Sequence, residues 1–350
     1  MNCKLYLPPL PEGENYLQLI GLYRGKVETG SALYMSQVPP DFKFTGFEFT
    51  ENLEEADFIL IPFGIRQGNE KHANYLDEMR ALSKRSGKEV IVFPAGDLVH
   101  DFFIDDMIVL KGSQYRYLKR PNEIIIPYFT EDMGQAPLRE KSEVPTIGFC
   151  GWAGFASFQL QLKYHLRNFL INAKSLLLFK SHLRIHKTGV YWRRRAMRIL
   201  SHSPRVVTKF IVRSSFSGST KTIALDPKVA RREYFENIDD ADFALNPKGD
   251  ASVPIRFYEI LSRGRVPLVV DTQMCFAAED KINYDDFIIR VPWQEINKLP
   301  DIVRAKWDAM SPEQFVEMQK KARDTYRKYL RYDTFFSNLF QDLLRLNSSK

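Results

Sequence analysis

The chain has 350 residues, of which 44% are hydrophobic, 27% charged and 13% aromatic. This composition is typical of a folded globular protein and excludes a fibrous or disordered chain. The length predicts two domains. The formal net charge of +7 predicts anionic partners, such as nucleotides, phosphorylated glycans, nucleic acid or an anionic membrane, without choosing among them.

The three cysteines, Cys3, Cys150 and Cys275, lie far apart and form no Cys-x-x-Cys or Cys/His spacing. This argues against a disulfide scaffold and a zinc site, and it favours a reducing compartment. The first residues show no basic segment followed by a long apolar run, and no later stretch has the length and apolarity of a membrane-spanning helix. We therefore expect a cytoplasmic protein.

Short apolar runs that end at proline predict strands at residues 56–62, 89–94 and 123–127. Between the first two, residues 72–86 have the spacing of an amphipathic helix. Strand, helix and strand joined by short loops predict a βαβ unit in a parallel sheet.

Residues 133–145 are polar, contain two prolines and precede a new apolar run, so a domain boundary is expected there. The fold class predicted is α/β, with two Rossmann-like domains that each hold a parallel sheet flanked by helices. We place the first domain at 1–140 and the second at 141–310. Residues 311–350 are predicted to form helices that close the molecule, because Ser-Pro-Glu at Ser311 is a helix-start pattern.

The most informative stretch is 242–271, DFALNPKGDASVPIRFYEILSRGRVPLVVD. Its pattern predicts a strand, a loop with glycine and proline, a helix and a buried strand, in turn at 243–246, 247–254, 255–262 and 266–270. Ligands of such sheets lie beyond the carboxyl ends of the strands. Lys248 and Gly249, with the first turn of the helix, are therefore predicted to face a ligand.

Arg256 and Glu259 are three residues apart and share one face of that predicted helix. A carboxylate offers acceptors to the vicinal hydroxyls of a ribose, and a guanidinium beside a helix N-terminus suits a diphosphate. The alternative is an ordinary exposed ion pair, which contributes less than ~1 kcal/mol. The spacing alone favours the ion pair.

The order P-x-G, R-F-x-E and G-x-x-P-x-x-x-D in this stretch resembles the C-terminal signature of the exostosin-like glycosyltransferases. Upstream, Arg232, Tyr234 and Phe235 resemble the R-x-x-Y segment of that family, and residues 54–62 resemble its A-D-x-x-x-x-P strand. There are departures. Pro254 stands where the family carries serine, with Ser252 as the substitute hydroxyl, and Ala277-Ala278 replaces a loop that contains proline.

The resemblance implies a GT-B architecture, with a nucleoside-diphosphate sugar bound by the C-terminal domain and a glycan or glycolipid acceptor facing the N-terminal one. It also implies inversion at the anomeric carbon, a uridine nucleotide as the default donor and no further cofactor. Arg256, Lys248, Arg213 and the helix dipole are then expected to stabilise the leaving diphosphate without a metal.

An inverting transfer needs a base, and Asp97 and His100 follow a predicted strand at its carboxyl end. The alternative for Asp97 is a cap on the next helix. A glycine cluster at 148–154 predicts close approach of a ligand to Gly151 and Trp152 at the domain junction.

Two weaker signals have competing explanations. Asp240-Ala241-Asp242 spells a metal-binding DxD, but it precedes a strand, so a polar turn is favoured. The basic stretch 180–213 spans the end of a helical segment predicted at 151–203 and a strand predicted at 206–212. It is typical of either a solvated helix face or a surface that binds nucleic acid, an anionic membrane or a phosphorylated acceptor. The rival function is therefore a non-enzymatic module that binds nucleic acid or an anionic glycan. The 242–271 stretch favours the enzyme, for which we expect no nucleic-acid partner.

Overall fold

The computed structural model describes residues 2–26, 32–34, 37–96 and 100–348. Its first sheet has six parallel strands in the order β2-β1-β3-β4-β5-β6. The strands are β1 Cys3–Tyr6, β2 Phe47–Thr50, β3 Phe58–Leu60, β4 Val90–Val92, β5 Ile108–Lys111 and β6 Glu123–Ile125.

The second sheet has five parallel strands in the order β11-β10-β9-β7-β8. The strands are β7 Thr146–Trp152, β8 Val207–Arg213, β9 Phe243–Pro247, β10 Val266–Asp271 and β11 Ile289–Pro292. In both sheets the strand order reverses beside the first strand, between β1 and β3 and between β7 and β9. Crevices at such switch points are the usual ligand sites of doubly wound sheets.

Nine α-helices are assigned in the described part of the chain. They are α1 Gln18–Tyr23, α2 Glu70–Ser86, α3 Phe158–Leu177, α4 Gly189–Ser201, α5 Pro227–Asp239, α6 Ile255–Ser262, α7 Leu299–Ala309, α8 Pro312–Thr325 and α9 Tyr332–Ser348. A 3-10 helix, Ser181–His186, separates α3 from α4. The predicted fold class, two parallel sheets flanked by helices, is confirmed.

The C-terminal helices close the molecule by packing on both halves. Ser311 caps α8 in a capping box with Gln314, and α8 lies against α6 and β10. The last helix, α9, returns to the first sheet, where the rings of Phe340 and Phe47 are 4.7 Å apart. The Lys43 amide donates to the Asp333 carboxylate at 2.9 Å, which fixes the same contact by a hydrogen bond.

The carboxyl edges of the two sheets face each other. The segment after β5 reaches the second sheet, where the Ser113 and Ser252 hydroxyls are 2.7 Å apart. Arg116 in the same segment pairs with Asp271, the last residue of β10, at 2.5 Å. One hydrophobic cluster also joins side chains of both sheets with α9. The loops that end β5, β9 and β10 therefore lie at one cleft.

The helical segment predicted at 151–203 divides into α3 and α4 for local reasons. Phe179, just beyond α3, has a left-handed backbone with φ +52°, which stops a helix. The Thr188 side chain then caps α4 by accepting a hydrogen bond from the Tyr191 amide. A new helix therefore starts at Gly189.

Candidate functional site

The cleft between the sheet edges contains a cavity of about 580 Å³. The first half of the chain contributes His100 and Tyr115 to its wall. The part of the chain that follows β7 contributes the loop after β9, one side of α3 and the start of α4. The lining residues are His100, Tyr115, Lys163, Tyr164, Leu166, Arg167, Leu170, Ile171, Lys174, His186, Lys187, Thr188, Gly189, Lys248, Gly249 and Asp250.

Lys248 is a buried cation in the wall of this cavity. Its Nζ donates to the Tyr115 hydroxyl at 2.6 Å and to the Ile185 carbonyl at 3.2 Å. Within the described ranges it has no carboxylate within ion-pair distance. Burial lowers the pKa of Lys248 to about 7; Asp250 opposes this shift, and the positive charges of Arg167 and Arg193 add to it. A bound anion would restore the charged form.

Arg193 and Arg256 are two further cations beside β7. Arg193, on α4, donates to the Trp152 carbonyl at 2.9 Å, and burial and then the charge of Arg256 lower its pKa to about 10. Arg256, on α6, donates to the Cys150 carbonyl and lies over the Phe149 ring at 4.5 Å. Neither guanidinium has a carboxylate partner in the part of the chain that the structure describes.

Glycines allow these cations to approach the backbone. A Cβ at Gly151 would lie 2.7 Å from Nη2 of Arg256, and a Cβ at Gly249 would lie 3.4 Å from Nη2 of Arg193. A Cβ at Gly189 would lie only 2.6 Å from the Gly249 carbonyl oxygen, so the start of α4 touches the loop after β9. The cations and a helix N-terminus therefore meet at the switch point between β7 and β9, an arrangement that suits a diphosphate.

Glu259 contacts different partners from Arg256. It is buried, and its two oxygens accept hydrogen bonds from Arg231 at 2.7 Å and from the Tyr234 hydroxyl at 2.5 Å. Arg231 also pairs with Glu131 at 2.9 Å. In this R-x-x-Y segment the residue that reaches Glu259 is thus Arg231, whereas the side chain of Arg232 is exposed.

Of the residues predicted to bind the donor, only Lys248 and Gly249 line the cavity, and Ser252 and Arg213 instead make contacts within the protein. The Ser252 hydroxyl donates to the Gln114 carbonyl at 3.0 Å, and the Ser252 amide donates to the Ser113 hydroxyl. Arg213 donates to the Ala230 carbonyl at 2.9 Å and pairs with Glu233 at 3.1 Å. Trp152 contributes its carbonyl to the site, through Arg193.

His100 lies in the cavity wall beside a second histidine. Burial lowers the pKa of His100; Asp101, 3.2 Å away, opposes this, and Lys248 adds to it. The His186 ring is 5.5 Å from that of His100, and burial followed by the charge of Lys248 lowers its pKa to about 4. Both imidazoles are therefore neutral near pH 7. The other predicted base, Asp97, lies outside the described residues.

The DxD sequence has a structural role. Asp242 is fully buried and accepts from Arg139 at 2.8 Å, from the Thr146 amide at 2.8 Å and from the Ser142 hydroxyl at 3.1 Å. These bonds attach the segment before β7 to the second sheet. Over the described ranges, no group of three or more His, Cys, Asp or Glu side chains is placed to hold a metal ion.

Several residues of the site were not predicted from the sequence. Arg193 belongs to the basic stretch 180–213, but nothing in that stretch distinguishes it from its neighbours. Tyr115, His186 and Arg167 come from three separate segments, and only the folded chain brings them together. The charge of Arg167, on α3, was the available signal.

The fold and the cleft define a two-sheet α/β protein with a positively charged site between the carboxyl edges of its sheets. No protein-family model matches the sequence, and no curated protein sequence matches it. Among solved structures it is similar to the crystal structure of TarM, with 11% identity and a TM-score of 0.39 over 72% of this chain. The matched part is 50% of TarM, so the chain spans about half the length of that protein.

A second similar structure is an alpha-glucosyltransferase in complex with UDP-glucose and DNA containing an abasic site. Its identity is 11% and its TM-score 0.36, and the match covers 84% of this chain and 81% of that one. In the described part of this chain, no helix combines the length and apolarity needed to cross a membrane.

Proposed function

We propose that the protein is a glycosyltransferase that takes a sugar from a nucleoside-diphosphate sugar, with a uridine nucleotide as the default donor. The observation that carries the proposal is the trio of Lys248, Arg193 and Arg256. Buried or half-buried cations with no carboxylate partner in the described residues favour a ligand that supplies negative charge. A diphosphate at the switch point of the second sheet fits both the charge and the topology.

In the proposed reaction an acceptor hydroxyl attacks the anomeric carbon, and the bond from that carbon to the diphosphate oxygen breaks. The negative charge that develops on the leaving diphosphate is stabilised by Lys248, Arg193 and Arg256, which do the work of a metal ion. We therefore propose a transfer that needs no divalent metal. The resemblance of the 242–271 stretch to exostosin-like enzymes supports inversion, in which the hydroxyl attacks the face of the sugar opposite the leaving diphosphate.

We propose His100 as the base that takes the proton of the acceptor hydroxyl. It is neutral near pH 7, lines the cavity and belongs to the first half of the chain, whereas the cations belong to the second. Asp97 is the second candidate. The acceptor in this proposal is a glycan or glycolipid bound against the N-terminal domain, with domains at 1–140 and 141–310.

We propose that Glu259 binds the ribose of the donor. Arg231 and Tyr234 each donate to one of its oxygens, and a carboxylate has about four lone-pair sites, so acceptors remain for vicinal hydroxyls. The resemblance of the 242–271 stretch to exostosin-like enzymes supports this role. The three free cysteines support a cytoplasmic location.

The test is turnover with a panel of sugar nucleotides. The wild-type protein is expected to release a nucleoside diphosphate from at least one of them, with and without EDTA. Arg193→Ala removes one cation of the site, so kcat/KM should fall by about 100-fold or more. Arg198→Ala, an exposed arginine on the same helix, is the matched control and should retain the wild-type rate.

Two outcomes contradict the proposal. If EDTA abolishes turnover and magnesium or manganese restores it, the metal-free chemistry is wrong. If no sugar nucleotide is turned over and the protein instead binds DNA or RNA with a steep salt dependence, the basic stretch is the functional surface and the protein is a binding module.

A further inference from the structure

The long helix α3 has its polar and apolar sides reversed relative to an ordinary surface helix. Its buried side chains are Asn168 and Ser175, and Asn168 accepts a hydrogen bond from the Thr188 amide at 3.0 Å. Seven of its large apolar side chains are exposed, whereas Leu160 and Ile171 are half-buried. A surface helix normally buries its apolar stripe against the core.

The outward apolar side chains form one continuous face. At about 100° per residue they fall within an arc of about 120° on the helix. Phe158 is 76% exposed and Phe169 is 65% exposed, and Phe179 just after the helix is 96% exposed. We call this surface the α3 apolar face; its members are Phe158, Leu162, Leu166, Phe169, Leu170, Leu176 and Leu177.

The charge around this face has one sign. From residue 144 to residue 225 the sequence contains 14 lysines and arginines and no aspartate or glutamate. On α3 itself, Lys163, Arg167 and Lys174 are exposed and lie along one edge of the apolar face. An apolar face edged by basic side chains is complementary to the surface of an anionic bilayer.

A second copy of the chain fits this face less well. Symmetric pairing of two α3 helices would bring two basic helices together without a single acid on either one. Such like charges oppose association. A lipid surface supplies both an apolar layer and negative charge.

We propose that the α3 apolar face inserts into the interface of an anionic membrane, with the helix lying in the membrane plane. Leu166, Leu170 and three basic residues of α3 also line the cavity, so one side of the cavity opens beside the membrane. The basic stretch 180–213, for which contact with an anionic membrane is one of the alternatives that the sequence leaves open, follows directly in the chain. The inference concerns α3 and does not depend on the transferase proposal.

The test is co-sedimentation with vesicles. Full-length protein is expected to bind vesicles that contain phosphatidylglycerol, to bind vesicles of phosphatidylcholine alone much more weakly, and to lose affinity at about 0.5 M salt. The variant Leu162→Gln/Phe169→Gln/Leu176→Gln avoids the cavity and should lower partitioning at least about tenfold. The matched control is Leu346→Gln on α9, whose leucine is 64% exposed, compared with 62% for Leu176; it should bind like the wild type.

Circular dichroism and thermal melting show whether the variants are folded, which is expected because the replaced side chains are exposed. Failure of the folded wild type to bind either kind of vesicle overturns the proposal. Equal binding of the triple variant and the wild type also overturns it. So does a concentration-dependent dimer, seen by analytical ultracentrifugation, that the triple variant abolishes in the absence of vesicle binding, because the face then belongs to a second copy.

Discussion

Lys248 shows how one buried charge connects stability with ligand binding. Burial disfavours its charged form, and neighbouring arginines add to this, so the folded protein holds the proton less tightly than the unfolded chain does. Such a group lowers the stability of the ligand-free protein, and a bound anion that favours its charged form offsets this cost. Perturbed cations of this kind are common at functional sites.

The first prediction concerns the pH dependence of this cost. The pKa of Lys248 is about 7 in the folded protein and near its ordinary value of 10.5 in the unfolded chain. Between these values the unfolded chain binds more protons, so the contribution of Lys248 to the free energy of unfolding rises with pH. Urea unfolding should show Lys248→Met to be more stable relative to the wild type at pH 7 than at pH 9, because the cost of the buried lysine decreases as the pH rises above its folded pKa. An identical difference at both values contradicts the assigned pKa.

The second prediction at the residue scale concerns the carboxylate of Glu259. Glu259→Gln removes the charge that Arg231 and Tyr234 share, although Arg231 keeps its pair with Glu131. We expect the free energy of unfolding to fall by about 2 kcal/mol, because a charge-assisted buried hydrogen bond is lost. Uridine binding should weaken as well, if Glu259 holds the ribose.

The control for this variant is Glu233→Gln, which alters a pair on the same helix as Arg231. The Glu233 side chain is 38% exposed, so its loss should change the free energy of unfolding much less. A Glu259→Gln protein as stable as the wild type would show that the network around Glu259 is not a structural one.

At the scale of elements, the site depends on the contact between the start of α4 and the loop after β9. Gly189→Ala would place a Cβ 2.6 Å from a backbone carbonyl oxygen, which cannot move aside as a flexible side chain can. The clash should cost about 1–3 kcal/mol, more than the roughly 1 kcal/mol that alanine adds to helix stability. We expect a lower melting temperature and weaker nucleotide binding. Unchanged values for both would mean that α4 and the loop move independently.

The elements around the site could largely be predicted from the sequence. The strand, loop, helix and strand of 242–271 appear where expected, because a buried apolar run and the stop at Gly264 leave little choice. The strand β5 was not predicted. Its apolar run at 107–110 is short and is followed by Lys111, a charged residue that is buried only because it pairs with Glu123 at 2.6 Å.

The composition of the site could be predicted only in part. Lys248 and Gly249 follow a strand, and strand ends are where ligands bind. Spacing also places Arg256 and Glu259 on one helix face, but their partners come from β7 and α5 and could not be inferred from local pattern. The domain division and the predicted base Asp97 remain predictions.

At the scale of the whole molecule, two sheets present their carboxyl edges to one cleft, and α9 ties the end of the chain to the first sheet. The segments that follow β4 and β5 of the first sheet supply His100 and Tyr115 to the cavity wall, and the loop after β9 of the second sheet supplies Lys248. This arrangement suits a reaction in which a group on one side of the cleft accepts a proton and cations on the other side stabilise the leaving diphosphate. The central claim is therefore that the cations recognise a diphosphate.

The most direct test of that claim is calorimetry with uridine, uridine monophosphate and uridine diphosphate. Affinity should rise along this series for the wild type. Arg256→Ala should weaken the binding of uridine diphosphate by about 1.5–3 kcal/mol, or roughly 10-fold to 100-fold. It should leave the binding of free uridine nearly unchanged. Arg198→Ala should behave as the wild type. Equal affinity of wild type and folded Arg256→Ala for the diphosphate, or no binding of any of the three ligands, would contradict the account.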